Sequence, residues 1–106
     1  MREVKSHFLL TGQIKPGDIL HVRREMTDKQ TRKKFDWVFL AVAKKVRKHS
    51  VQLIRLGADE GKDEIQISAQ DDYAKWQVLD ESEWPDGARA FRTVLMMEGR
   101  LDPDLT

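Results

Sequence analysis

Lys29, Arg32, Lys33 and Lys34 crowd into six residues, and Lys44, Lys45, Arg47, Lys48 and His49 fill another six. Arg23 and Arg24 stand just upstream of both groups. Cations at this density suit one chemistry, contact with successive phosphates and release of the counterions those phosphates hold. An ordinary soluble surface mixes both signs, and these stretches hold few acids. The plain competing role is a solvated face that serves solubility. Aromatic side chains beside such cations can stack on bases. Trp37 follows the first basic stretch and is the first candidate, with Phe35 second. Filling a core is the competing use of both rings.

Other chemistry finds little footing. His7, His21 and His49 show no ligand spacing, and the chain has no cysteine, so neither a metal site nor thiolate chemistry is expected. Ser6-His7 and His49-Ser50 are sequence neighbours, which is not how a nucleophile and its base are usually presented. Asp71-Asp72 and the acids of 59–64 lack the regular oxygen spacing of a calcium loop, and turn chemistry accounts for them better. No Gly-rich phosphate loop occurs. The expectation is a non-enzymatic protein with no cofactor.

The charges are sorted by half. Residues 1–56 carry 14 Lys/Arg and 5 Asp/Glu, a balance of +9, whereas residues 57–106 carry 5 and 13, a balance of −8. The formal total of +1 hides that asymmetry. A basic half of this density raises the local concentration of anionic partners. The acids Asp80, Glu81, Glu83 and Asp86 could meet the basic face of a second copy, or simply favour the start of a helix. At 106 residues, with 40% hydrophobic and 35% charged residues, the chain reads as a single domain, 1–106, with one modest core. No apolar run approaches bilayer length and no signal-peptide pattern opens the chain, so a cytoplasmic protein without a membrane partner is expected.

The elements that must position these residues read mainly as strands. Pro16-Gly17-Asp18 is a turn signal ahead of an alternating run over 17–24. A basic loop over 27–34 leads into a long run over 35–46. Trp37, Phe39, Ala41 and Ala43 share one face of that run, and Val38, Leu40 and Val42 share the other. Both faces are apolar, which predicts a central strand covered twice or bent across a barrel. Further runs at 50–56, 64–68 and 76–79 follow, with a turn region over 57–64 and one helical turn over 71–75. A weaker run lies near 4–10. Ala88, Phe91, Val94, Leu95 and Met97 recur at helical spacing, which predicts a helix over 86–98 capped by Asp86 and stopped by Gly99. A frayed end should follow at Asp102-Pro103-Asp104.

Ile14-Lys15-Pro16-Gly17-Asp18-Ile19-Leu20-His21-Val22 resembles the Gly-Asp approach to the first strand of KOW- and Tudor-type modules. Arg23-Arg24-Glu25 stands where KOW motifs place a glycine. A similar Gly-Asp-Ile-Leu approach occurs in the larger PUA- and ASCH-like barrels, which bind RNA or nucleotides. With the strand order above, the chain resembles a small five-stranded antiparallel barrel of the Src-homology-3 type over residues 14–79, followed by a C-terminal α-helix. The resemblance implies nucleic-acid binding. In such a barrel Trp76 and Phe39 would fill the core, Tyr73 would cap it, and Trp84 would clasp the barrel to the helix.

The functional expectation is nucleic-acid binding through Arg23, Arg24, Lys29, Arg32, Lys33, Lys34, Trp37, Lys44, Lys45, Arg47 and Lys48. DNA and RNA remain equal alternatives. The competing expectation is a protein-interaction or assembly module, such as a mobile-element or phage accessory protein, that forms a homo-oligomer through its helix or its charge asymmetry.

Overall fold

The fold is built around one strand with two apolar faces. A computed structural model describes residues 1–57 and 64–102. Its strands are β1 (Arg2–Glu3), β2 (Ile19–Thr27), β3 (Lys34–Val46), β4 (Ser50–Arg55), β5 (Glu64–Ser68) and β6 (Ala74–Val78). They form one antiparallel sheet in the order β1-β6-β2-β3-β4-β5, followed by α1 (Ala88–Met97), the one α-helix among the described residues. The fold is thus mainly β with a C-terminal helix. Its five longer strands overlap the five expected runs, and the short β1 makes six strands where five were expected.

Alternation sends the two apolar sets of β3 into two cores. Phe39, Ala41 and Ala43 join Leu20 and Val22 of β2, Val51 and Leu53 of β4, Ile67 of β5, and Ala74, Trp76 and Val78 of β6. Val4, Leu10 and Ile14 of the N-terminal segment close this main core. Leu40 and Val42 instead meet Ile19, Ile54 and Leu79 in a second core beneath α1. A bulge between Ala43 and Lys45 adds one residue to β3. Because of it, Ala43 and Val46, three residues apart, both meet the main core.

The helix docks on its own sheet. Ala88 and Leu95 are buried, and Phe91 packs half-buried beside them. Val94 and Met97, which the periodicity places on the same stripe, are exposed. Trp84 fills the gap between sheet and helix, with the guanidinium of Arg89 5.3 Å and that of Arg92 5.8 Å from its ring centre. Arg92 Nε also donates to the Gly17 carbonyl at 2.8 Å. A Cβ on Gly17 would lie 3.1 Å from that guanidinium, and the backbone there has φ +93°, so the turn before β2 fits a glycine twice over. At the far end Gly99 takes φ +68°. Gly99 N donates to Met96 O and Arg100 N to Leu95 O, the paired bonds of a Schellman stop.

Several local expectations need correction. Asp86 does not cap α1; Gly87 occupies the cap position with a left-handed backbone and no side-chain bond. The segment near 4–10 is not a strand, and a 3-10 turn at Leu10–Gly12 follows it. Residues 71–73 form a turn rather than a helical turn. Asp71 Oδ1 accepts from Tyr73 N at 2.9 Å there, and β6 begins at Ala74. Asp102 is tied down through its N–H to Lys44 O at 3.0 Å. Residues 58–63 of the turn expected over 57–64, and the Pro103-Asp104 end, lie outside the described residues.

Docking on the same chain carries a stability prediction. Leu95→Ala should cost about 3 kcal/mol and Phe91→Ala somewhat less, as truncations in the second core. The loss should be independent of protein concentration in thermal melts, since no second chain is needed to bury either side chain.

Candidate nucleic-acid interface

The basic residues are placed by the two hairpins that flank β3, and these hairpins lie at opposite ends of it. Lys29, Arg32 and Lys33 sit in the β2–β3 loop, and Arg47, Lys48 and His49 sit in or beside the β3–β4 turn. At about 3.3 Å per residue, a straight strand of this length would separate its ends by roughly 40 Å. The longest dimension of the molecule is 42 Å. The eleven candidates are thus divided between the two ends of β3.

The first cluster is carried by a projecting ribbon. The β2–β6 ladder ends at Arg24 opposite Ala74, and the β3–β4 ladder ends at Ala41 opposite Arg55. Glu25 N still donates to Tyr73 O at 2.9 Å, and beyond it the rungs Met26–Phe35 and Thr27–Lys34 pair only with each other among the described residues. The loop that closes the ribbon is ordered by its one acid. Asp28 Oδ1 accepts from Gln30 N at 2.8 Å and Thr31 N at 3.2 Å. Asp28 N donates to Lys33 O, and Arg32 N to Asp28 O. Arg32 takes φ +57°, an unusual conformation for a side chain of this size. Lys29, Arg32 and Lys33 are all exposed and have no ion-pair partner among the described residues.

The base of the ribbon is partly neutralised. Lys34 Nζ lies 3.4 Å from Glu25, and Arg23 Nε lies 3.8 Å from Asp36. Both pairs are exposed, so each contributes little to stability. Arg24 points to the other face from Arg23, because successive side chains alternate along β2. Its Nε donates to Asp71 at 3.0 Å and its Nη1 to the Met26 sulfur at 2.8 Å. That bridge is half-buried and occupies the guanidinium, so Arg24 holds the turn before β6.

The two aromatic candidates divide. Trp37 is half-buried against the main core, its ring 4.6 Å from that of Phe39 at 43°. Phe35, two rungs closer to the tip on the same face, is 50% exposed. Phe35 is therefore the better-placed ring for stacking, the reverse of the order expected from sequence. Trp76 and Phe39 lie in the core, and Tyr73 is exposed beside the β2–β6 rungs.

At the other end, Lys44 is engaged with Glu64 at 2.8 Å. Lys45, Arg47 and Lys48 have no ion pair among the described residues. The acidic half meets its own chain. Glu81 pairs with Arg89, and Glu83 Oε1 accepts from Asp80 N at 3.0 Å. Hydrogen bonds to Glu83 and then Asp80 raise the Met1 ammonium above its ordinary range, and the same ammonium lowers Glu83. Among the described residues no three His, Asp or Glu converge as a metal site, and no helix is long and apolar enough to cross a membrane.

The loop geometry makes a prediction. Asp28→Ala removes the acceptor of two backbone N–H groups and should lower stability by about 1 kcal/mol. Arg32→Gly should leave the melting midpoint near that of the parent, since glycine accepts the left-handed backbone. Chemical denaturation of both variants checks the pair. In comparisons with protein families, curated proteins and solved structures, this chain matches none.

Proposed function

We propose that this protein binds nucleic acid through the β2–β3 ribbon. The observation that carries the reading is the tip itself: Lys29, Arg32 and Lys33 are exposed, without carboxylate partners among the described residues, on a loop that Asp28 holds in shape. A narrow ribbon with a cationic tip can approach a phosphate backbone without the rest of the sheet colliding with it. Phe35 on its flank offers a face to an unpaired base. Contacts of this kind are directed mainly at phosphates and carry little base selectivity. Lys45, Arg47 and Lys48 lie too far away to share the same short stretch of ligand.

The longer strands run β6-β2-β3-β4-β5, so the last strand returns beside the first of them. His7 N donates to Ala69 O at 2.9 Å across the gap between the two ends of that order. Both features favour the Src-homology-3 type of small barrel. The self-association reading gains no comparable support, because Ala88, Phe91 and Leu95 already pack on their own sheet.

Fluorescence anisotropy with single-stranded and duplex DNA and RNA oligonucleotides tests the reading. Affinity should fall steeply with salt, and Lys29→Gln, Arg32→Gly and Lys33→Gln together should lower the log–log salt slope by up to about three. The matched change of Lys45, Arg47 and Lys48 to Gln should leave the slope near that of the parent. Absence of binding by the parent at low salt refutes the proposal. Loss confined to the second set of variants moves the interface to the other end of β3.

A further inference from the structure

We propose that the groove over β1, β6 and β2, on the part of the outer sheet face that α1 does not cover, is a binding site for a phosphate group. It has a volume of about 570 Å³ and lies between the segment after β1 and the paired strands β6 and β2. The site stands on its own geometry and does not depend on the ribbon binding nucleic acid.

The sheet register enforces its charge. Arg23 on β2 lies directly opposite Lys75 on β6, and both line the groove. Side chains in directly opposed positions have Cβ atoms only about 5 Å apart, and like charges there destabilise the sheet. Two rungs on, His21 faces Gln77 on the same side, and Lys5 closes the rim. Lys5 and Lys75 have no ion pair among the described residues. The contact of Arg23 with Asp36 is long, at 3.8 Å, and more than half exposed. Two acids also line the groove. Asp72 is engaged by His7 Nε2 at 2.7 Å, and Glu3 sits at the β1 edge opposite Gln77.

A like-charge rung in the middle of a sheet costs stability and packs nothing. A phosphate dianion between Arg23 and Lys75 reverses that cost. It accepts charge-assisted hydrogen bonds from the guanidinium and the ammonium, with the Gln77 amide and the Ser6 hydroxyl as further donors in the same groove. Phosphate is favoured over a planar carboxylate because the donors come from both strands and from the rim, around a ligand with tetrahedrally arranged oxygens.

The test is a thermal-shift titration of the whole chain with inorganic phosphate, against sodium chloride of equal ionic strength. Phosphate should raise the melting midpoint in a saturable way that chloride does not reproduce, as expected for a ligand that binds only the folded chain. Lys75→Gln should raise the midpoint without phosphate, by relieving the repulsion, and should abolish the phosphate-dependent rise. Arg23→Gln should also abolish that rise, whereas Lys33→Gln should retain it. Amide chemical shifts give a second readout, with changes expected at His21, Arg23, Lys75 and Gln77. A nucleoside 5′-monophosphate that binds more tightly through these residues assigns the site to a phosphate ester, and equal affinity assigns it to bare phosphate. Equal stabilisation by chloride, or a phosphate response that survives both Arg23→Gln and Lys75→Gln, overturns the proposal.

Discussion

Leu40 and Val42 face one side of β3, and Phe39, Ala41 and Ala43 face the other, so the strand must be covered twice. Each side is covered by different means. The sheet and the N-terminal segment enclose the main core, and α1 supplies the second cover. Much else follows from that demand. α1 must reach across Ile19 and Ile54, so Trp84 fills the corner and Arg92 ties the helix back to the Gly17 turn. The helix covers one part of the outer face and leaves the β1-β6-β2 part bare. The bare part is where the register brings Arg23 and Lys75 together.

The length of β3 sets the electrostatics as firmly as its hydrophobic pattern sets the cores. A long strand with a basic hairpin at each end holds those hairpins apart along its length. The sequence-level charge asymmetry is also partly closed within the fold. Arg24 of the basic half meets Asp71 of the acidic half, and Lys44 meets Glu64. The cations left without such partners at the ribbon tip are those that sequence position alone could not distinguish from Lys34 or Arg24.

The positions of the longer strands and of the helix were legible because alternation and helical spacing are local signals. The two-faced character of β3 and the role of Trp84 could be read in the same way. What could not be read was register. Opposite faces for Arg23 and Arg24 follow from alternation along a strand, but only pairing with β6 shows that Lys75 faces Arg23 and that Asp71 reaches Arg24. The two-residue β1 is too short for any periodicity to reveal. At the helix start Asp86 carried the right chemistry for a cap, yet the chain turns through Gly87, whose left-handed backbone takes the position instead. The separation of the two basic hairpins was within reach, since a strand of that length implies it, but sequence proximity argued the other way.

The proposed interface is the β2–β3 ribbon and not the opposite end of β3. Amide chemical-shift mapping of the labelled protein against a short oligonucleotide at low salt tests it most directly. Changes should concentrate over residues 28–35, with the amides of 44–49 unmoved. Changes concentrated over 44–49, or none at saturating oligonucleotide, would contradict it.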